Sequence, residues 1–194
     1  MASASAEPNA AASRVDRGLL ALSAVRADFV QEITVKDGAK PERASGTLWL
    51  RKPGRFRWEY RAPQQLIVCD GDHLWLFDAD LSQVTVRQIK QSLSQTPAML
   101  LAGQAHVTEG FKVIEGGALD GLLWSVLIPK NSDTDFTEIR MGFAGDSLSR
   151  LEFVDKLGSH TRIELKNMER HLVLPDSLFT FIVPPGVDVI GQAP

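Results

Sequence analysis

The sequence predicts a mainly β protein of the α+β class, a single domain built on a curled antiparallel sheet or barrel, closed or open on one side, with a helix at its N-terminus. Three observations predict it. Most of the chain alternates apolar and polar residues in short runs. Those runs are separated by Gly, Asp, Asn and Pro, as in Asp70-Gly71-Asp72, Ala144-Gly145-Asp146 and Lys156-Leu157-Gly158, which are hairpin signals. Only two stretches leave this period for helical spacing. At 194 residues, with no stretch of linker composition in the middle and no internal repeat, the chain has length for one full-sized core.

Taking the elements in order, residues 1–13, MASASAEPNAAAS, are expected to form a disordered stub, and the domain to run over 14–194. The stub lacks a basic n-region and an apolar h-region, so it is not an intact signal peptide; it fits the remnant of one. From Ala12 to about Val25, Val15, Leu19, Leu22 and Val25 recur at three- and four-residue steps, the apolar face of an amphipathic helix. The period then changes: Phe29, Gln31, Ile33 and Val35 alternate with Val30, Glu32 and Thr34. Strands are expected at 29–35, 44–51, 55–61, 65–70, 73–78, 83–89, 111–115, 122–129, 136–143, 148–155, 160–168 and 179–183.

One segment breaks the series. In TPAMLLAG, Thr96 can cap a helix, Pro97 suits its first turn and Gly103 supplies a left-handed stop, so 97–102 is predicted helical. Its residues Ala98, Met99, Leu100, Leu101 and Ala102 leave no polar face. A helix apolar all round is covered on more than one side, so it either plugs the core or lies across the mouth of a greasy cavity.

Composition excludes several functions. With 44% hydrophobic and 23% charged residues and a net charge of −3, there is no wide basic field for nucleic acid, and no apolar run long enough for a bilayer-spanning helix. Cys69, the single cysteine, sits in the run Leu66-Ile67-Val68-Cys69 and reads as a small buried hydrophobe. His73, His106, His160 and His171 show no zinc spacing, and neither a GxSxG elbow nor a phosphate loop is present, so no enzyme, metal or cofactor is expected. Asp70, Asp72, Asp78 and Asp80 sit in turns, where carboxylates stabilise the backbone locally.

The stretch GTLWLRKPGRFRWEY, residues 46–60, is the densest in information. A tight turn at Lys52-Pro53-Gly54-Arg55 pairs Trp49 with Trp58, Arg51 with Phe56 and Thr47 with Tyr60, setting the aromatics on one face and Leu48, Leu50, Arg57 and Glu59 on the other. A loop of different parity mixes these sets. Interleaved arginines and aromatics can stack single-stranded nucleic acid, but they equally describe aromatics that fill a barrel beside a solvated cationic face.

Taken in order, FVQEITV, GTLWLRKPGRFRWEY, VCDGDHLWLFDADLSQVTV, TPAMLLAG and DSLFTFIVPPGVDV closely resemble the outer-membrane lipoprotein carrier family, LolA-type periplasmic chaperones of Gram-negative bacteria, from about residue 14 to 189. The resemblance implies an unclosed, strongly curved antiparallel half-barrel whose hydrophobic cavity holds the acyl chains of lipoproteins. It puts a helical lid at about 90–103, including Pro97, Met99, Leu100 and Leu101, with Trp49, Phe56, Trp58 and Trp75 in the cavity or at its edge. In that family a basic residue before the hairpin proline bonds carbonyls of the lid helix. Here the position is Lys52 where the family usually has arginine, with Arg51 as second candidate for the latch. The last carbonyls of a short helix are unpaired and carry the negative end of its dipole, which suits a cation; an ammonium holds several carbonyls less rigidly than a guanidinium.

The implied partners are acylated lipoproteins, an inner-membrane ABC-type lipoprotein-releasing complex and an outer-membrane lipoprotein receptor, with the carrier a periplasmic monomer. Phe56, just past the hairpin tip, is expected at the cavity edge as a docking contact. The same scaffold also resembles the lipid-sensing part of periplasmic anti-sigma regulators, proteins that are longer and carry a second domain.

Overall fold

In the computed structural model, residues 9–36, 40–89, 97–103, 107–131 and 134–191 are described. Asn9 sets where the first helix begins. Its side chain accepts the backbone N–H groups of Ala11 (3.0 Å) and Ala12 (3.4 Å), while its Nδ2 donates to the Val113 carbonyl at 2.7 Å. One residue thus caps helix α1 (Ala10–Leu20) and ties it to the sheet. The helix starts before the expected Ala12, so residues 10–13 belong to it rather than to a stub, and it stops before Val25, which lies in the first strand. Ala11, Ala12, Val15 and Leu19 form its buried face. Gly18 allows the close approach: a Cβ there would stand 2.3 Å from the Phe143 ring.

Among the described residues all strands belong to one twelve-stranded sheet. In chain order they are β1 (Ala24–Thr34), β2 (Glu42–Arg51), β3 (Arg55–Tyr60), β4 (Gln65–Asp70), β5 (His73–Asp78) and β6 (Gln83–Gln88), then, after α2 (Pro97–Ala102) and α3 (Val107–Gly110), β7 (Phe111–Leu119), β8 (Leu122–Pro129), β9 (Phe136–Ala144), β10 (Ser147–Asp155), β11 (His160–Arg170) and β12 (Asp188–Gly191). Their spatial order is β12-β6-β5-β4-β3-β2-β1-β11-β10-β9-β8-β7. Neighbours run antiparallel except β12, which lies parallel to β6. The end strands β12 and β7 are not hydrogen-bonded to each other, so the curved sheet stays unclosed.

The curl shows in which residues meet. Leu48, Leu50, Phe56, Trp58 and Leu74 from one half of the sheet share a single apolar cluster with Leu127, Met141, Phe143, Leu151 and Phe153 from the other. Helices α1, α2 and α3 contribute Val15, Leu101 and Val107 to the same cluster, so they occupy the concave side. Gly46 is needed where the wall is tightest: a Cβ there would meet the Glu59 carbonyl oxygen and the Phe29 ring.

The stretch 179–183 is not a strand. Residues Asp176–Phe179 form one 3-10 turn, after which Phe181, Val183 and Val187 pack on the convex side against Val68, Trp75, Val84 and Val86. Pro184 and Pro185 follow, and a proline has no N–H to give a ladder.

Candidate functional site

The hairpin β2–β3 is the pivot of the site. Arg51 pairs with Arg55, so the loop is Lys52-Pro53-Gly54, one residue longer than the tight turn expected. Gly54 takes the left-handed conformation (φ +67°) that closes such three-residue loops. The change of parity corrects every expected pair: Leu48 faces Trp58, Leu50 faces Phe56, Gly46 faces Tyr60 and Trp49 faces Arg57. The concave face therefore holds Leu48, Leu50, Phe56 and Trp58, and the convex face Trp49, Arg51, Arg55 and Arg57.

On the concave side, Phe56 is fully buried against Leu50 and Cys69 and is not an exposed docking edge. Trp58 is also buried, its ring 5.0 Å from that of Phe29, which lies 5.0 Å from Tyr60 in turn. The Tyr60 hydroxyl donates to Gln31 Oε1 at 3.1 Å, and burial pushes its pKa up to about 12. At this end, away from the hairpin loop, the wall opens into a groove of about 420 Å³ lined by Gln31, Ile33, Glu42, Ala44, Tyr60 and Gln65. Gln31 was legible as a polar residue within the inward run of Phe29 and Ile33. Its partnership with Tyr60 was not, because β1 and β3 are separated by a strand.

Helix α2 lies over the other end. Leu101 and Ala102 are buried, and Leu100 packs against the main cluster; the side chains of Pro97 and Met99, and residues 90–96, fall outside the described residues. The tie between helix and hairpin is main-chain: Gly54 N–H donates to the Ala102 carbonyl at 3.2 Å. That carbonyl is one of the orphans a helix leaves at its C-terminus. Below the loop, the Cys69 thiol donates to the Gly54 carbonyl (2.8 Å), and burial pushes it up to about 11, so it is inert as a nucleophile at neutral pH.

Lys52 sits half-buried at the same place. Burial lowers the pKa of its ammonium, and the Asp16 carboxylate on α1 partly offsets this. Asp16 in turn accepts the Val107 N–H of α3 at 3.1 Å. The carboxylate that ties α1 to α3 thus also acts on the charge of the hairpin's Lys52, a relationship that sequence spacing does not reveal. The Lys52 backbone N–H donates to the Ser23 carbonyl at 2.7 Å, fixing the loop to the start of β1.

Arg51 belongs to the opposite face. Its guanidinium donates to the Leu174 carbonyl (2.5 Å) and to Asp176, and lies 4.9 Å over the Phe179 ring; Arg55 reaches the same Asp176 at 2.8 Å. Both arginines hold the C-terminal segment on the convex side, and the Arg51 hydrogen bond draws the Asp176 pKa below its ordinary value. Trp49 is half-buried on that face. Trp75 is there too, donating to Asp70 at 3.1 Å with its ring 5.5 Å from Phe181. Alternation places Trp49 and Trp75 away from the hollow, while Phe56 and Trp58 line it.

Among the described residues no three His, Cys, Asp or Glu side chains come together as a metal site would need, and no helix is long and apolar enough to cross a membrane. The arrangement is a hydrophobic wall, a short apolar helix over one end and a groove at the other.

Comparison with known proteins bears on this arrangement. The family model described as outer membrane lipoprotein carrier protein LolA matches residues 21–182. An outer-membrane lipoprotein carrier protein of Methylobacillus flagellatus is 39% identical over 171 residues, covering 88% of this chain and 83% of that protein. One from Chromobacterium violaceum is 42% identical over 166 residues, 85% of this chain and 80% of its own. Among solved structures, a LolA superfamily protein from Nitrosomonas europaea matches 90% of this chain and 99% of its own with a TM-score of 0.51 at 14% identity. An uncharacterized conserved protein from Thermus thermophilus matches 94% and 99% with a TM-score of 0.59, also at 14% identity. Those two speak for the fold alone. With 162 residues under the family model and relatives near 40% identity over most of their length, the chain belongs to the outer-membrane lipoprotein carrier family.

Proposed function

We infer that this protein, a periplasmic lipoprotein carrier by family, binds the acyl chains of its cargo against the concave wall of Phe29, Leu48, Leu50, Phe56 and Trp58. The observation that carries the reading is that α2, an apolar helix, lies on the apolar wall: Leu101 and Ala102 join the cluster on the concave side, and a 3.2 Å main-chain bond from Gly54 ties its last carbonyl to the hairpin. An apolar helix so placed is a removable cover.

Solvation supplies the mechanism. Each acyl methylene taken from water contributes about 0.8 kcal/mol, so one chain gives ample driving force and release is the harder step. The side chain of Leu101, buried in the closed form, contributes about 1.5–3 kcal/mol to closure. Cargo must displace that contact, so the cover lowers net affinity to a level that permits transfer. Lys52, between the lid hairpin and Asp16, is the proposed latch; Arg51, engaged on the convex face, is not.

The carrier receives lipoprotein from an ATP-driven inner-membrane releasing complex and passes it downhill to an outer-membrane receptor, working as a monomer. Two measurements test this. The protein should free a triacylated lipoprotein from spheroplasts into the soluble fraction, and it should copurify with lipoprotein one to one. Lipoprotein that stays in the membrane fraction whatever amount of the protein is added would overturn the reading.

A further inference from the structure

The concave wall carries a polar group with no partner among the described residues. Trp75 and Trp124, each 5% exposed, both donate their indole N–H, one to Asp70 and one to the Leu119 carbonyl (3.2 Å). Trp58 is buried more deeply, 2% exposed, yet its Nε1 meets no acceptor among the described residues. The polar side chains on the same stretch of wall, Gln31 and Tyr60, are bonded to each other. The strands on either side of β3 pair with it in regular ladders, which occupy their carbonyls. A buried donor left unpaired is costly, and folded proteins rarely keep one without a use for it.

We propose that the Trp58 indole N–H receives a carbonyl of the cargo's acyl linkage, the ester or amide that joins the fatty chain to its headgroup. This rests on the carrier reading and makes it more specific. An alkyl chain brings no acceptor, and the first acceptor met along an acylated lipid is the linkage carbonyl. Tyr60, the next inward-facing residue on β3, lines the open groove, so the indole stands only about 7 Å of strand from an opening. That depth suits a group that follows the chain in rather than leads it.

The energetic logic is differential. With lid helix α2 over the wall, the N–H has no partner among the described residues; on a linkage carbonyl it is paired. Pairing favours the loaded state without adding apolar area, and it selects carbonyl-linked acyl lipids over ethers or plain hydrocarbons of equal length.

The test uses the whole protein with two synthetic probes: a cysteine lipopeptide whose two palmitoyl chains are ester-linked, and its dialkyl ether analogue of the same chain length. The native protein should prefer the ester by about three- to tenfold, the scale of one hydrogen bond, and Trp58→Phe should show no preference. In the native protein, the indole N–H resonance absent from Trp58→Phe spectra should move downfield with the ester probe and stay with the ether. Equal shifts with both probes, or an ester preference that survives in Trp58→Phe, overturn the carbonyl contact alone. Failure of the native protein to bind either probe overturns the carrier reading along with it.

Discussion

Gly54 and Ala102 are joined main chain to main chain: the N–H in the hairpin loop donates to the carbonyl that ends helix α2, at 3.2 Å. No side-chain substitution removes this bond directly. The partly buried Lys52 ammonium, two residues before Gly54 in the loop and subject to the Asp16 charge, is the group proposed above to hold the loop and the helix end in register.

Lys52→Leu should therefore leave the fold intact and disturb the cycle. Circular dichroism should be unchanged, while transfer of lipoprotein to the receptor falls about fivefold or more, the lower range of coupling between two sites. Normal transfer by this variant would take Lys52 out of the mechanism.

Leu101→Ala should separate stability from binding. Removing a fully buried leucine costs about 2–5 kcal/mol of closed-form stability. In the proposed mechanism Leu101 competes with cargo for the wall, so the same change should raise affinity for a diacyl probe and slow its release. Weaker probe binding by this variant would mean the helix supports the site rather than covering it.

Acid should loosen the C-terminal segment. Asp176 has its pKa depressed below 3.8 by Arg51 and then Arg55, so its contribution is present above that value and is lost as pH falls through the depressed native value. Proteolysis of residues 174–187 and the emission of Trp75, packed on Phe181, should both report release as pH falls below about 4. Asp176→Asn should show the loosened state at neutral pH; tight packing in that variant would assign the hold to the Leu174 carbonyl and Phe179 instead.

Gly46→Ala probes the narrowest part of the wall. The added methyl would stand 1.9 Å from the Glu59 carbonyl oxygen and 2.7 Å from the Phe29 ring, one atom of it backbone. A loss of about 3 kcal/mol in urea unfolding is expected, the upper part of the overpacking range. A loss under about 0.5 kcal/mol would show that β2 and β3 can part there.

Much of the fold was legible because strand period and turn chemistry are local. Runs 65–70, 73–78 and 122–129 begin and end as the alternation does. The segment 179–183 was misleading for a physical reason: after the turn that ends at Phe179, Phe181 and Val183 alternate because an extended chain laid on a sheet buries every second residue, as a strand within one does. Strand β12 was missed because its parallel pairing with β6 is formed far along the chain. Of the site, TPAMLLAG was found from its caps and the hairpin from its aromatics. The face of Trp49 relative to Trp58 depended on one residue of loop length, which Pro-Gly does not specify. The junction of Lys52 with Asp16, like the empty donor on Trp58, arises only when distant elements pack.

The clamp of Arg51 and Arg55 on the C-terminal segment gives the gate proposed above unequal halves. The post is braced from behind by Leu174, Asp176 and Phe179, on the far side of the wall from the lid. The leaf, six residues long, is tied at its last carbonyl by a main-chain bond to Gly54. In that proposal motion is delegated to the lighter part, and the doorway keeps its shape whether the door stands ajar or shut.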